Sequence, residues 1–232
     1  MEERMTSRLY FGEEHEMIRK ALGDFVNKEI NPHVEAWEEQ KIAPLHELFK
    51  KMGDLGFLGI RFDPKYGGQG LDYWHDLVFA EEMGNIDAAG ISMAITVQTH
   101  MATPAIAQFG SEYLKETYLS KAISGEMVSA IAVTEPGAGS DVSALATTAV
   151  KQGDHYLLNG SKTYITNGTQ ADFLTLLART SEDPGYHSFS LFVVPTDLPG
   201  FSVSRKLDKL GMHASDTAEL FFDGMKIPAE NL

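Results

Sequence analysis

The run GEMVSAIAVTEPGAGSD, residues 125–141, separates two parts of the chain that have different hydrophobic periods. Before this run, apolar residues recur every three or four positions, which is the spacing of amphipathic helices. After it, short apolar segments alternate with turn-forming residues, which is typical of strands. The sequence therefore predicts an α+β protein, with an all-helical domain over residues 1–125 and a small antiparallel β-barrel or sandwich over residues 126–232.

Proline and glycine mark the ends of the predicted helices. A first apolar stripe ends before Pro32, and a second ends at Gly56. The segment FDPKYGGQG, residues 62–70, cannot propagate a helix and is predicted to be a surface loop. A run rich in small residues, 90–110, continues the helical pattern.

In the second half, two turn signals predict hairpins. Gly153-Asp154 and Asn159-Gly160 both contain residues that tolerate positive φ. The predicted strands cover residues 128–133, 146–150, 156–158, 163–166, 173–178, 188–194, 201–205 and 218–222.

Composition excludes several classes of function. The 232 residues include 19 Lys plus Arg against 33 Asp plus Glu, a net charge of −14 without a basic run, so a nucleic-acid partner is not expected. The absence of cysteine excludes disulfides, thiolate metal sites and cysteine nucleophiles. No signal peptide or membrane span is expected, which predicts a cytoplasmic protein or a mature organellar matrix form.

Motifs for other chemistries are missing. The eight histidines have no metal-ligand spacing, so no metal site is expected, and neither a Gly-x-Ser-x-Gly elbow nor a Walker loop is present. Gly137-Ala-Gly139 begins like a dinucleotide fingerprint, but Val142 occupies the third glycine position. A nicotinamide cofactor is therefore not expected.

The end of the quoted run is suited to holding a polar ligand. Glu135-Pro136-Gly137 predicts a type II turn, and Gly139 allows a ligand to approach the backbone closely. Thr134 and Ser140 place hydroxyls beside exposed N–H groups, which form a neutral cradle for a pyrophosphate or the polar edge of a heterocycle. The alternative is an ordinary connection between a strand and a turn.

A second cluster lies at residues 164–168, YITNG. In a regular strand Tyr164 and Thr166 share one face, so an aromatic ring and a hydroxyl are presented together. Stacking and one hydrogen bond are suited to a planar ring system. Core packing is the alternative.

The two clusters together carry a family resemblance. AVTEPGAGSD (132–141) followed by NGSKTYITNG (159–168) closely resembles the two signature segments of the acyl-CoA dehydrogenase family. YGGQG (66–70), RKLDKLGM (205–212) and SDTAELFFD (215–223) add to the resemblance, which extends over nearly the whole chain.

The resemblance implies an FAD site. In the family, FAD binds between the middle β domain and a C-terminal helical bundle, and a neighbouring subunit of the homo-oligomer completes the adenosine end. The resemblance implies that Thr134 and Thr166 hydrogen-bond the flavin ring, that Tyr164 stacks beside it and that Ser140 meets the pyrophosphate. It also implies cofactor contacts at Gly139 and Ile165.

The implied reaction is α,β-dehydrogenation of a fatty acyl-CoA to trans-2-enoyl-CoA, a step of fatty acid β-oxidation, with electrons passed to an electron-transfer flavoprotein. Gln98, Thr99 and Ser140 resemble substrate-binding positions, although core packing explains Gln98 and Thr99 equally well. The sequence does not predict the length of the acyl chain.

No catalytic residue is assigned within the chain. The family's catalytic glutamate lies in the C-terminal bundle, at positions that would fall beyond Leu232. Glu135 belongs to the turn, and Glu81 and Glu82 are predicted on the solvated face of a helix. We therefore expect a truncated, inactive chain with weak FAD affinity and an exposed apolar face.

Three alternatives stay open. An acyl-CoA oxidase shares the family scaffold but passes its electrons to oxygen, and flavin-dependent monooxygenases also use this scaffold. A non-catalytic flavin or acyl-CoA binding module, or an assembly partner, belongs to a different class of function.

We expect the isolated chain, mixed with FAD and an acyl-CoA without oxygen, to leave the flavin oxidised because it lacks the base. Flavin absorbance near 450 nm is the measurement, and dithionite is the positive control for reduction. A measurable rate of bleaching with any acyl-CoA would contradict the expectation.

Overall fold

The computed structural model describes residues 10–183 and 185–232. Helices occupy its first part and strands its second, so the predicted α+β class is confirmed. The α-helices are α1 (Glu13–Phe25), α2 (Val34–Gln40), α3 (Leu45–Asp54), α4 (Tyr73–Met83), α5 (Ala89–Thr96), α6 (Thr103–Phe109), α7 (Glu112–Leu114) and α8 (Ser120–Ile123).

Within the part of the chain that the structure describes, three π-helical turns interrupt or join these helices. They are Val26–Ile30, Val97–Ala102 and Lys115–Leu119. The second turn joins α5 to α6, so residues 89–109 form one long helical rod. Within it, the Thr103 hydroxyl donates to the carbonyl oxygen of Gln98 at 2.6 Å.

The predicted helix end before Pro32 agrees with the structure, since α1 and the π turn that continues it end at Ile30, which has φ −116°. The chain then passes through the 3₁₀ turn Asn31–His33 directly into α2. Pro32 is tolerated because it lies in the first turn of the 3₁₀ segment, where its missing N–H has no helical partner. The predicted end at Gly56 agrees with the structure, since α3 ends at Asp54 and Gly56 has φ +76°.

In the described residues seven strands form one mostly antiparallel sheet: β1 (Ser129–Ala132), β2 (Thr148–Gln152), β3 (His155–Thr166), β4 (Phe173–Arg179), β5 (Phe189–Pro195), β6 (Phe201–Lys206) and β7 (Thr217–Pro228). Their order is β1-β4-β2-β3-β7-β6, with β5 paired to β4. Two pairings are parallel, β1 with β4 and a single bridge between β2 and β4.

Of the two predicted hairpins, only the first is present. β2 and β3 pair from Gln152 and His155 around Gly153-Asp154. The hairpin predicted at Asn159-Gly160 is wrong, because β3 runs straight through these residues. Gly160 has φ +147° and lies at an irregularity in the β3–β7 register. A Cβ at Gly160 would stand 2.4 Å from the Thr147 hydroxyl oxygen, so here glycine permits a close approach of two segments.

The core has a helical part, a sheet part and a part between them. Leu22, Phe49 and Ile91 represent the helical cluster. Leu158 and Phe192 represent the sheet cluster. The cluster between them includes Leu119, Phe173 and Val193. Among the described residues, no helix has the length and apolar character needed to cross a bilayer.

Buried side-chain amides join the helical rod to the sheet. The Gln98 amide nitrogen donates to the Ala122 and Met127 carbonyls, and its oxygen accepts from the N–H and the hydroxyl of Ser129. The Asn167 amide nitrogen donates to the carbonyls of Ala94 and Ser129. We call these two side chains the amide seam. It holds the rod against the start of β1 and the end of β3.

Gly160→Ala is expected to lower the free energy of unfolding by about 2–4 kcal/mol, because the new methyl group clashes with Thr147 and alanine disfavours φ +147°. Gly137→Ala is the matched control, since a Cβ at Gly137 meets no heavy atom within 4 Å. Urea unfolding measures both variants. Equal losses of stability would contradict this account of Gly160.

Candidate functional site

The chain leaves β1 in a closed four-residue turn. The Glu135 N–H donates to the Ala138 carbonyl at 2.9 Å, and the Ala138 N–H donates back to the Glu135 carbonyl at 3.1 Å. The predicted type II turn is wrong, because that turn needs a positive φ at Gly137 and Gly137 does not have one. Cβ atoms at Gly137 and Gly139 would meet no heavy atom within 4 Å, so open space borders the backbone at both residues.

The predicted ligand-binding hydroxyls of this turn are available. Thr134 is half-buried and Ser140 is exposed. Within residues 10–183 and 185–232, neither hydroxyl has a hydrogen-bond partner, whereas the Thr134 carbonyl accepts from the Thr163 N–H at 2.9 Å. The backbone of Thr134 is therefore held while its side chain is free to meet a ligand.

A bulge in β3 presents Tyr164. The β3–β7 register shifts between Lys162 and Ile165, and Tyr164 adopts φ +60°. The regular alternation from which a shared face for Tyr164 and Thr166 was predicted is therefore absent. Tyr164 is nevertheless 68% exposed, while Ile165 is buried. A bulge re-aims side chains, and a left-handed tyrosine stores strain of the kind found at functional sites.

Thr166 lies just beyond the bulge and is half-buried. Its hydroxyl has no partner among the described residues, and its Cα pairs with that of Thr217 on β7. The Thr217 hydroxyl accepts from the Lys209 ammonium at 2.8 Å. Burial lowers the pKa of Lys209, although the charges of Asp216 and Glu38 oppose this shift. The segment 209–217 therefore borders the strand that carries Thr166.

The two predicted clusters are brought together by a buried ion pair. The Lys162 ammonium, which is fully buried, donates to Glu135 Oε1 at 2.8 Å and to the Val133 carbonyl at 2.9 Å. Glu135 also accepts from the N–H groups of Ala146 and Thr147, at 2.6 and 3.0 Å. We call the surface formed by residues 134–140 and 164–166 the cradle. The ion pair lies beside the cradle and fixes the position of segment 134–140 relative to segment 164–166.

The pKa values of the pair follow from this geometry. Burial alone would raise the pKa of Glu135, but hydrogen bonds from Lys162, Thr147 and Ala146 outweigh burial, and the pKa falls below its usual value. For Lys162, burial is the larger effect and lowers the pKa despite the carboxylate. The difference arises because Glu135 receives two backbone N–H bonds in addition to the ammonium. Glu135 is therefore held as an ionised carboxylate, and its lowered pKa makes it a weak base.

The predicted substrate residues Gln98 and Thr99 have different environments. All four hydrogen bonds of the Gln98 side chain go to other groups of the chain, so Gln98 has no donor or acceptor left for a substrate. Thr99 lines a cavity of about 400 Å³ with Phe57, Phe79 and Pro104 among its apolar walls.

Hydrogen bonds connect four polar side chains along this cavity. His100 Nδ1 lies 2.6 Å from the Thr99 hydroxyl, and His100 Nε2 lies 2.9 Å from Asp76 Oδ1. Arg61 donates to the other Asp76 oxygen at 3.2 Å. Burial opposes ionisation of Asp76, but the bonds from His100 and Arg61 lower its pKa. Arg61, Asp76 and the pair Thr99-His100 are far apart along the polypeptide, so no local pattern predicts these hydrogen bonds.

The predicted solvated position is correct for Glu81 and wrong for Glu82. Glu82 is buried, because α4 turns this side chain toward α1, where it accepts from Arg19 at 3.2 Å and from Asn85 at 3.1 Å. Glu82 therefore has a structural role in joining two helices.

Glu14, His15 and His75 are the one group within the described residues whose ligand atoms lie within 4.8 Å of one another. The two imidazole rings stack at 3.9 Å with an interplanar angle of 23°, and His75 Nδ1 lies 2.7 Å from Asp72 Oδ1. His15 Nδ1 also accepts from the Gly12 N–H, which leaves the proton of the neutral ring on Nε2. This geometry gives no support for a shared metal ion.

Two family models match this chain, one over its helical part and one over its sheet part. The family model for the acyl-CoA dehydrogenase N-terminal domain matches residues 12–126, and that for the middle domain matches residues 130–225. The chain belongs to the acyl-CoA dehydrogenase family. Residues 127–129 separate the two matches and lead into β1, beside the amide seam.

Individual family members support the assignment. An acyl-CoA dehydrogenase of Bacillus subtilis is 41% identical over 224 residues, which are 97% of this chain and 59% of that protein. The crystal structure of the Geobacillus kaustophilus enzyme has a TM-score of 0.91 at 45% identity, and covers 96% of this chain and 58% of that one. A Bacillus anthracis acyl-CoA dehydrogenase complexed with FAD has a TM-score of 0.89 at 35% identity, over 96% of this chain and 37% of that one.

The chain thus spans less than three fifths of these family members. Membership supports an oxidoreductase scaffold. The roles assigned to Thr134, Gly139, Ser140, Tyr164, Ile165 and Thr166, the contact at Thr99 and the division at residue 125 stay predictions.

Glu135→Gln is expected to remove a pH-dependent part of the stability. A carboxyl with a lowered folded-state pKa adds stability that is fully present above its unfolded-state pKa, about 4.3, and is lost as the pH falls through the lower folded value. The gap between the unfolding free energies of the wild type and the variant therefore narrows below about pH 4.3. Urea unfolding from pH 3 to 7 measures it, with exposed Glu126→Gln as the control. A gap that does not change with pH would contradict this.

Tyr164→Gly is expected to keep or raise the free energy of unfolding, by up to about 1 kcal/mol, because glycine relieves the strain at φ +60° and the tyrosine ring is mostly exposed. Lys41→Gly, at φ +59° and away from the cradle, is the matched control. Thermal unfolding measures both. A clear loss of stability for Tyr164→Gly alone would show that the ring packs within the protein.

Proposed function

We propose that this chain forms the flavin-binding part of an enzyme that dehydrogenates fatty acyl-CoA thioesters to trans-2-enoyl-CoA. One observation carries the proposal: the hydroxyls of Thr134, Ser140 and Thr166, which have no partner among the described residues, lie on two adjacent segments beside open backbone at Gly137 and Gly139. Family membership and the FAD complex of the Bacillus anthracis protein support FAD as the ligand.

The cradle fits the polar edge of a flavin. Thr134 and Thr166 would hydrogen-bond the ring, and the exposed Tyr164 would stack beside it. Ser140 would bind the pyrophosphate, which suits a chain of net charge −14 because a hydroxyl and backbone N–H groups hold an anion without a cation. When bound, FAD would supply the hydride acceptor for the β hydrogen of the thioester.

The α proton of the substrate needs a carboxylate, and the two buried carboxylates near the cradle are already engaged. Glu135 is bound by Lys162 and two backbone N–H groups. Asp216 accepts from the N–H and the hydroxyl of Thr169 and from Gln170. We therefore propose that neither residue acts as the base, and that residues 1–232 on their own bind flavin without catalysing the reaction.

The proposed substrate contact moves from Gln98 to Thr99. The cavity beside Thr99 has aromatic and aliphatic walls that suit part of an acyl chain. We further propose an electron-transfer flavoprotein as the electron acceptor and a homo-oligomer as the working assembly, both from family membership.

A second candidate function is a binding module without catalysis, which the engagement of Glu135 and Asp216 favours. An acyl-CoA oxidase is a third candidate, but no contact in the cradle favours it. With the chain assayed together with the family's C-terminal bundle, hydrogen peroxide formation under air separates an oxidase from a dehydrogenase, and the absence of flavin reduction separates the module from both.

Thr134→Val and Thr166→Val are each expected to weaken FAD binding about tenfold, because each removes one hydrogen bond worth about 1.4 kcal/mol. Thr148→Val is the matched control, since its hydroxyl also lacks a partner in the described part of the chain and lies on β2. Quenching of flavin fluorescence measures the dissociation constants. An unchanged affinity in both cradle variants, or an equal loss in the control, would contradict the proposed site.

A further inference from the structure

Lys162 holds Thr134 from both sides. Its ammonium donates to the carbonyl of Val133, the residue before Thr134, at 2.9 Å. It also donates to the side chain of Glu135, the residue after Thr134, at 2.8 Å. Lys162 itself never contacts the Thr134 hydroxyl among the hydrogen bonds of the described residues.

Other bonds complete the frame around Thr134. The Thr163 N–H, next to Lys162 on β3, donates to the Thr134 carbonyl at 2.9 Å. Glu135 is anchored on its far side by the N–H groups of Ala146 and Thr147, which precede β2. The backbone of residues 133–135 is thereby tied to β3 and to the segment before β2, and the one polar side-chain group left without a bond is the Thr134 hydroxyl.

A fully buried ion pair needs a reason other than stability. Apolar residues of similar volume often replace such a pair without loss of stability, because the cost of removing two charges from water offsets their attraction. The bonds of Lys162 are directional and go to Val133 and Glu135, the residues on either side of Thr134, which apolar packing would not reproduce.

We propose that Lys162 is a positioning residue for the flavin site: through Val133 and Glu135 it sets the orientation of the Thr134 hydroxyl and the distance between the segments 134–140 and 164–166. This inference rests on the proposed function. The side chain acts through the backbone of its neighbours and does not touch the cofactor.

The test compares Lys162→Met with the double variant Glu135→Gln, Lys162→Met. The single variant leaves a buried carboxylate without its cation and is expected to lose stability. The double variant removes both charges, so its urea midpoint is expected to return most of the way to that of the wild type. If Lys162 positions Thr134, the double variant still binds FAD at least tenfold more weakly than the wild type.

Hydrogen exchange of the Thr163 amide gives a readout that needs no flavin. We expect exchange at least tenfold faster in the double variant, with unchanged exchange in the β4–β5 ladder. Lys209→Met is the matched control and should leave Thr163 protected. Its ammonium, like that of Lys162, bonds to a backbone carbonyl, but its second partner is the Thr217 hydroxyl and it lies on another segment.

The outcomes distinguish a failure of the positioning role of Lys162 from a failure of the proposed function. A double variant that keeps both FAD affinity and Thr163 protection at the wild-type level overturns the positioning role. If the wild-type chain binds no FAD, the proposed function fails, and Thr163 exchange alone then decides whether Lys162 orients the strand end. Faster exchange everywhere in the sheet would show general loosening and would also overturn the proposal.

Discussion

The amide seam of Gln98 and Asn167 is the interaction on which the arrangement of the molecule depends. Both side chains are almost completely buried, and their amides bond to the helical rod and to Ser129 at the start of β1. Buried amide groups tolerate few alternative partners, because each lost bond leaves a desolvated polar atom. The seam therefore fixes both the distance and the rotation between helices and sheet, which apolar packing alone leaves less specific. The cradle begins two residues after β1, so the seam also fixes the position of the cradle relative to the helices.

Residues in and around the cradle also have two different roles. Residues that flank the proposed ligand contacts, namely Lys162, Glu135 and Asp216, are engaged in internal bonds, while the hydroxyls of Thr134, Ser140 and Thr166 have no partner among the described residues. Backbone strain lies in the same place, since Tyr164 and Asn167 both have positive φ. A rigid surround with a few unengaged groups is how a protein prepares a site for a ligand before the ligand arrives.

Much of this organisation could be predicted from the sequence, and the failures have specific physical reasons. The change of hydrophobic period predicted the division into helices and strands, and the two motifs predicted which segments lie together. The Asn159-Gly160 pair was misinterpreted because local turn preference was overridden by a long strand that needs glycine where Thr147 approaches. The burial of Lys162 and Glu82 was missed because a charged residue is expected outside unless its partner is known, and both partners are distant in sequence. Such pairings are properties of the fold and leave no local signature.

The π turn in the rod also bears on how this chain is compared with its relatives. A π turn accommodates one residue more than an α turn, and each residue in an α-helix advances about 100° round the axis. The extra residue lies within Val97–Ala102 and changes the rotation of the residues around the rod axis. It therefore sets which side of the rod faces β1 at Gln98, and it brings the Thr103 hydroxyl to the Gln98 carbonyl. Where aligned homologues differ in length by one residue here, the gap belongs inside the helix and not in the flanking loops. Natural shortening by one residue would rotate one end of the rod against the other, so the seam constrains insertions and deletions as strongly as it constrains residue type.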